Sequence, residues 1–219
     1  MTRLAVFDCD GTLADSQANI CRAMALAFAD AGLPDPDPRA VRRIVGLSLP
    51  QAVAKLVPGT DPALHVMVAE DYKRHFRAMR TGGALLDEPL FPGIADTLVA
   101  LLDGGWRLGV ATGKSDRGLS LLLAHHRIDR HFVTLQTADR HPSKPHPAML
   151  RAAMAEAGAL PAATVMIGDT SFDMAMAVDA GVRAVGVEWG YHHRDELIAA
   201  GADLLCDDPM LIPALLDMP

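Results

Sequence analysis

Apolar residues recur along this chain in two rhythms. Short apolar runs end abruptly in polar residues: residues 4–7 run into Asp8-Cys9-Asp10-Gly11-Thr12, and similar runs recur at 106–112, 132–137, 164–169, 183–188 and 204–206. Brief, nearly continuous apolar runs predict buried parallel strands with polar residues at their C-terminal ends. Between them the spacing is helical, in Ile94, Leu98 and Leu101, in 119–123, in 148–157 and in 172–180. Strands alternating with helices imply right-handed crossovers and a sheet covered on both faces. The expected fold class is α/β, a doubly wound, mainly parallel sheet.

Residues 16–88 break the alternation. Ile20, Met24, Phe28 and Ala31 share one helical face, with Ser16 placed to cap it. Gly32, Pro34, Pro36 and Pro38 mark a turn-rich break. Leu64, Val68, Tyr72, Phe76 and Met79 form a second helical stripe, and residues 81–92 read as a return linker. The organisation expected is a core of residues 1–15 and 89–219, with a small α-helical cap inserted at 16–88.

Composition narrows the function classes. Half of the 219 residues are apolar and few are aromatic, so the core must be built from Ala, Val, Leu, Ile and Met. The 20 basic and 27 acidic residues give a net charge of −7, with no dense Lys/Arg run, so no nucleic-acid partner is expected. No apolar stretch approaches the roughly 20 residues needed to span a bilayer, so no membrane partner is expected either. No signal-type apolar region precedes Asp8, and Cys9, Cys21 and Cys206 have neither metal-ligand nor redox spacing. A cytoplasmic location is the expectation. Nothing in the sequence addresses oligomeric state.

Ligands of open parallel sheets bind beyond the C-terminal strand ends. Asp8 and Asp10 follow the first strand, Thr112-Gly113-Lys114 the second, and Asp169 and Asp173 the fourth, while Ser143-Lys144-Pro145 lies in a neighbouring loop. Each alone has an ordinary reading, as a turn residue, a strand-to-helix turn, a solvated charge or a helix cap. Together they are harder to dismiss. Carboxylates converging at one sheet edge repel one another unless a cation is present, and an oxygen-only set suits Mg²⁺.

Phe7-Asp8-Cys9-Asp10-Gly11-Thr12-Leu13, Ala111-Thr112-Gly113-Lys114, Ser143-Lys144-Pro145 and Gly168-Asp169-Thr170-Ser171-Phe172-Asp173 resemble, in order, the four motifs of the haloacid dehalogenase superfamily. The resemblance spans the chain and places residues 16–88 where that superfamily carries its helical cap. It implies Asp8 as the nucleophile, forming an aspartyl-phosphate, and Asp10 as general acid and then base. Thr112 and the Gly113 N–H would hold phosphoryl oxygens, and Lys144 would offset charge around Asp8. Mg²⁺ would be held by Asp8, the Asp10 carbonyl, Asp169 and Asp173. An acid at Asp10 fits ester hydrolysis better than dehalogenation or phosphonate cleavage, and leaves Lys55 and Lys73 as surface or steering charges.

Trp189-Gly190-Tyr191, the turn at 200–203 and Asp207-Asp208-Pro209 resemble phosphoglycolate phosphatase-like members, as does the short cap around Arg43, 45–47 and Pro50. The activity implied is Mg²⁺-dependent hydrolysis of a small phosphorylated metabolite, with 2-phosphoglycolate first to test. Alternatives are a sugar phosphomutase of the β-phosphoglucomutase type, a pyrophosphatase, and a non-catalytic binder of phosphate compounds. Arg42, Arg43 and Gly46 are the cap candidates for reaching the leaving group. Lys73, Arg74, Arg77 and Arg80 read as a solvated face, Cys9 as a packed thiol, and Asp15 as fixing the hinge into the cap.

Overall fold

The computed structural model describes residues 1–217. Strand β1 (Arg3–Phe7) opens the chain, and the side chains of residues 4–7 are wholly buried. Four helices follow, α1 (Gln17–Asp30), α2 (Pro38–Arg42), α3 (Leu49–Leu56) and α4 (Pro62–Thr81). Alternation then resumes with α5 (Ile94–Asp103), β2 (Trp106–Thr112), α6 (Asp116–His125), β3 (Phe132–Thr137), α7 (Ala148–Ala157) and β4 (Thr164–Gly168). The chain continues through α8 (Ser171–Ala180), β5 (Arg183–Val187), α9 (Arg194–Ala199), β6 (Leu204–Cys206) and α10 (Ile212–Leu216). All six strands read from the apolar runs are present. The fourth and fifth stop one residue short of their runs, at Gly168 and Val187.

The six strands form one sheet in the order β3-β2-β1-β4-β5-β6, and every pairing is parallel. The fold is α/β, with the chain winding outward from β1 in both directions. Ligand crevices of such sheets lie where the strand order reverses, here between β1 and β4. Phe7 pairs with Ile167, so Asp8 and Asp169 leave the sheet close together.

Alternation along β1 divides the core. Ala5, Phe7 and Cys9 face one side with Ile94, Leu98, Leu123 and Ile212. Leu4 and Val6 face the other with Met149, Met154, Met166 and Met174, whose flexible side chains fill that layer. Cys9 is fully buried, and burial pushes its thiol well above the ordinary value.

Helices α1–α4 carry an apolar cluster of their own, in which Ile20, Met24 and Phe28 meet Val41, Val53 and Val68. The two connections to the sheet run side by side. Ala14 bridges Leu90, Asp15 N–H donates to the Pro89 carbonyl at 2.9 Å, and Phe91 N–H donates to the Leu13 carbonyl at 3.0 Å. The cap of α1 differs from the sequence reading. Ser16 makes no side-chain cap bond; Asp15 accepts from the Gln17 N–H at 3.2 Å instead. A carboxylate one residue earlier satisfies the orphan donor, and the Ser16 hydroxyl is buried without a partner among the described residues. No helix among the described residues is long and apolar enough to cross a membrane.

Candidate active site

Asp8 is held as though the strand ran one residue further, with its N–H donating to the Ile167 carbonyl at 2.9 Å. The chain then turns sharply, and the Cys9 carbonyl accepts from the N–H groups of Thr12, Leu13 and Ala14. Gly11 makes the turn at φ +90°, and a side chain there would put its first carbon 2.2 Å from an Asp169 carboxylate oxygen. Both facts require glycine.

Four charged side chains lie buried beyond these strand ends. Lys144 is fully buried, with its ammonium 2.9 Å from Asp8 Oδ1 and 2.6 Å from Asp173 Oδ1. Asp8 Oδ1 also accepts from the Cys9 N–H at 2.6 Å. Asp8 Oδ2 is buried and has no hydrogen-bond partner among the described residues. Burial, aided by Asp173 and opposed by Lys144, pushes the Asp8 carboxyl up to about 7. Burial works against the Lys144 charge, but Asp173 and Asp8 more than restore it, leaving its pKa above the ordinary lysine value.

Asp169 accepts from the Thr12 hydroxyl at 2.7 Å and from the Tyr191 N–H at 2.9 Å. Burial, then Asp8 and Asp173, hold its carboxyl well above the usual carboxylate range. Asp173 Oδ2 accepts from Thr170 N–H at 3.1 Å and Thr170 Oγ1 at 2.7 Å, closing a reciprocal capping box at the start of α8. The helix-cap reading and the site reading therefore meet in one side chain.

One oxygen each from Asp8, Asp169 and Asp173 lies within 4.8 Å of the others. Three carboxylates face one ammonium, and one carboxylate oxygen is orphaned. Hard divalent cations take such oxygen-only sets, and a cation would reverse the upward push on the acids. The donor set fits such an ion. The Asp10 carboxylate stands apart from this cluster and accepts from Lys114 Nζ at 2.7 Å, with Glu88 Oε1 4.0 Å from the same ammonium. A metal contact from Asp10 would therefore use its carbonyl.

Lys114 was visible in the second motif, but sequence reasoning gave it no role. The available signal was its position, immediately after the Thr112-Gly113 turn on the strand beside β1. Thr12, Thr170 and Tyr191, which orient the acids, were also missed.

Thr112 is buried, and its hydroxyl accepts from the Lys114 N–H at 3.2 Å. A first side-chain carbon on Gly113 would lie 2.6 Å from the Leu47 carbonyl oxygen, and one on Gly46 would lie 3.8 Å from Asp8 Oδ2. The α2–α3 connection thus lies over the Asp8 carboxylate. Ser48 N–H donates to Ser143 Oγ at 2.7 Å beside it. Of the three cap candidates, the structure brings Gly46 to Asp8 and leaves the two arginines elsewhere. Arg42 donates to Gln17 Oε1 at 2.9 Å and lines a separate cleft with Asp15 and Cys21. Arg43 donates through both terminal guanidinium nitrogens to the Glu196 carboxylate. His192 accepts from Ser171 N–H through Nδ1 and donates from Nε2 to the Arg43 carbonyl, tying the same segment to the sheet layer. On α4, Arg74 pairs with Asp71 and Asp30 at the surface, while Arg80 turns inward toward Glu88 at 3.5 Å.

The chain is similar to known proteins in sequence and in fold. A family model described as "Haloacid dehalogenase-like hydrolase" matches residues 5–187. "Probable phosphatase IndB" of Dickeya dadantii (strain 3937) is 37% identical over 213 residues, covering 94% of this chain and 90% of that protein. A phosphoglycolate phosphatase of Pseudomonas syringae pv. syringae (strain B728a) is 30% identical, covering 100% of this chain and 81% of that protein. In fold, the chain is similar to the crystal structure of "a predicted phosphatase" from Clostridium acetobutylicum, with a TM-score of 0.88, 24% identity and all of both chains covered.

Proposed function

The chain belongs to the haloacid dehalogenase-like hydrolase family and is a phosphohydrolase, and from that premise we propose that it is a Mg²⁺-dependent phosphatase with Asp8 as its nucleophile. The observation that carries this reading is the orphaned Asp8 Oδ2, buried beside the convergent carboxylates of Asp169 and Asp173 with Lys144 fixing its sister oxygen. An oxygen held in that way is positioned to attack and is starved of compensating charge.

Asp8 Oδ2 attacks phosphorus and forms an aspartyl-phosphate as the bond to the leaving oxygen breaks. Asp10 gives that oxygen a proton, then takes one from the water that hydrolyses the intermediate. Lys114 holds Asp10 Oδ1, which leaves the other oxygen for proton transfer. The Thr112 hydroxyl and Gly113 N–H hold phosphoryl oxygens, and Lys144 offsets charge that builds around Asp8. Asp8, Asp169, Asp173 and the Asp10 carbonyl would hold Mg²⁺, which when bound supplies charge neutralisation and in-line orientation.

Residues 16–88 act as a cap that excludes water during transfer. The separate apolar cluster of α1–α4 and the paired connections at Ala14 and Leu90 support this reading. The substrate is a small phosphorylated metabolite, and 2-phosphoglycolate is the reference compound because of the named relative.

The test is phosphate release from a panel of monoesters and pyrophosphate, with and without Mg²⁺. Metal-dependent release by wild type that is lost in Asp8→Asn is the expected result. Turnover that persists in Asp8→Asn rules out the covalent route, and pyrophosphate as the one compound cleaved would replace the monoesterase with a pyrophosphatase.

A further inference from the structure

A cavity of about 350 Å³ opens beside Asp10. Gly46, Gly113 and Lys114 complete its inner end, and Ile20, Met24, Val45, Leu49, Tyr72 and Phe76 supply its apolar walls. Tyr72 and Phe76 stand one helical turn apart on α4, with ring centroids 5.8 Å apart. The Lys114 ammonium lies 5.8 Å from the Phe76 ring centroid, so the aromatic wall reaches the residue that grips Asp10.

We propose that this cavity receives the leaving group of the substrate, and that the group is an apolar, ring-bearing alcohol of about ten to twelve non-hydrogen atoms. The proposal rests on the hydrolase reading above, in which Asp10 faces the leaving oxygen.

Two observations favour such a group over glycolate. The first is size. At about 30 Å³ for each water-sized unit, the cavity has room for about a dozen, and the roughly five non-hydrogen atoms of glycolate would leave more than half of it unfilled. The second is charge. The cations nearest the inner end already have partners, Lys114 in Asp10 and Arg80 in Glu88, and Lys73 pairs with Glu70. Arg77 and Arg117 also line the cavity but are exposed, where they can draw in a phosphomonoester without anchoring a second buried anion. A carboxylate held against Ile20, Met24 and Val45 would lose its hydration without gaining a partner.

The experiment is calorimetric binding to Asp8→Asn protein at saturating Mg²⁺, which removes differences in leaving-group reactivity. 2-Naphthyl phosphate is the ring-bearing probe and 2-phosphoglycolate the small one. The expected result is binding of the naphthyl ester at least about tenfold tighter, with Phe76→Ala costing it about fivefold or more and leaving 2-phosphoglycolate within about twofold. Phe76→Leu restores most of the loss. The same ratio is read on wild-type protein, with each compound competing against a third monoester. Equal or tighter binding of 2-phosphoglycolate overturns the proposal, as does a Phe76→Ala loss shared by both probes. Phosphate release by wild type is scored separately. No release from any monoester counts against the hydrolase reading, whereas the binding order judges the cavity.

Discussion

Gly113 packs so closely beneath Gly46 that a methyl group on its α-carbon would lie 2.7 Å from the Gly46 carbonyl oxygen. Both contacting partners are backbone, so no rotamer change relieves the clash. Gly113→Ala is expected to push the α2–α3 connection off Asp8, costing about 1–3 kcal/mol as an overpacked site. Activity should fall further than stability, by about 10²-fold in kcat/KM, because the same step would displace the N–H proposed to hold a phosphoryl oxygen. Urea unfolding and steady-state kinetics on one preparation check both figures.

Lys144 sets its ammonium between Asp8 and Asp173. Lys144→Met keeps most of the side chain's length and removes the charge, stranding two buried carboxylates. A loss of about 3–5 kcal/mol is expected in metal-free buffer, measured by denaturant unfolding. Mg²⁺ should recover part of the stability without recovering turnover.

The cation itself has a stability signature. Mg²⁺ at about 100 times its Kd should add about 2.7 kcal/mol to wild type, read as a rise in Tm. Asp169→Asn, which keeps the shape and its contact with Thr12, should abolish most of that rise. An undiminished rise would place the ion elsewhere.

The Arg43–Glu196 pair fastens the α2–α3 segment to α9. Hydrogen bonding from Arg43 holds the Glu196 carboxyl at about 2, below its usual 4.5. A depressed acid contributes its stability above the unfolded value, so the contribution is complete above about pH 5 and fades as pH falls through 4.5 toward 2. The pair is partly exposed, so its worth is about 1 kcal/mol or less. The unfolding free energies of wild type and Glu196→Gln should differ by that amount at pH 7, draw together below pH 4.5 and converge only at about pH 2.

The sheet was legible in the sequence because buried parallel strands need apolar runs, and because residues 4–7 stop at a pair of aspartates. Asp8, Asp169 and Lys144 were legible because chemistry confines them to strand ends and adjoining loops. The role of Lys114 was not, since its salt bridge to Asp10 joins the loops after two strands that only the folded sheet sets side by side. Arg42 and Arg43 looked alike on paper. Their partners, Gln17 and Glu196, lie on different elements that only the packed structure brings near. The stripe of Tyr72 and Phe76 was legible only as a helical face, because helical spacing shows which residues share a face but not whether that face meets a neighbour or a cavity.

The central strand has a consequence for how the molecule is made. Leu4 pairs with Arg107 on one side and Thr164 on the other, both far later in the chain. β1 therefore leaves the ribosome well before either partner strand, while the intervening α1–α4 have an apolar cluster of their own to form. Residues 17–81 are expected to pack on that cluster before β4 emerges. Only then does Asp8 acquire the Ile167 carbonyl that fixes its backbone, so competence for chemistry arrives late, with the fourth strand.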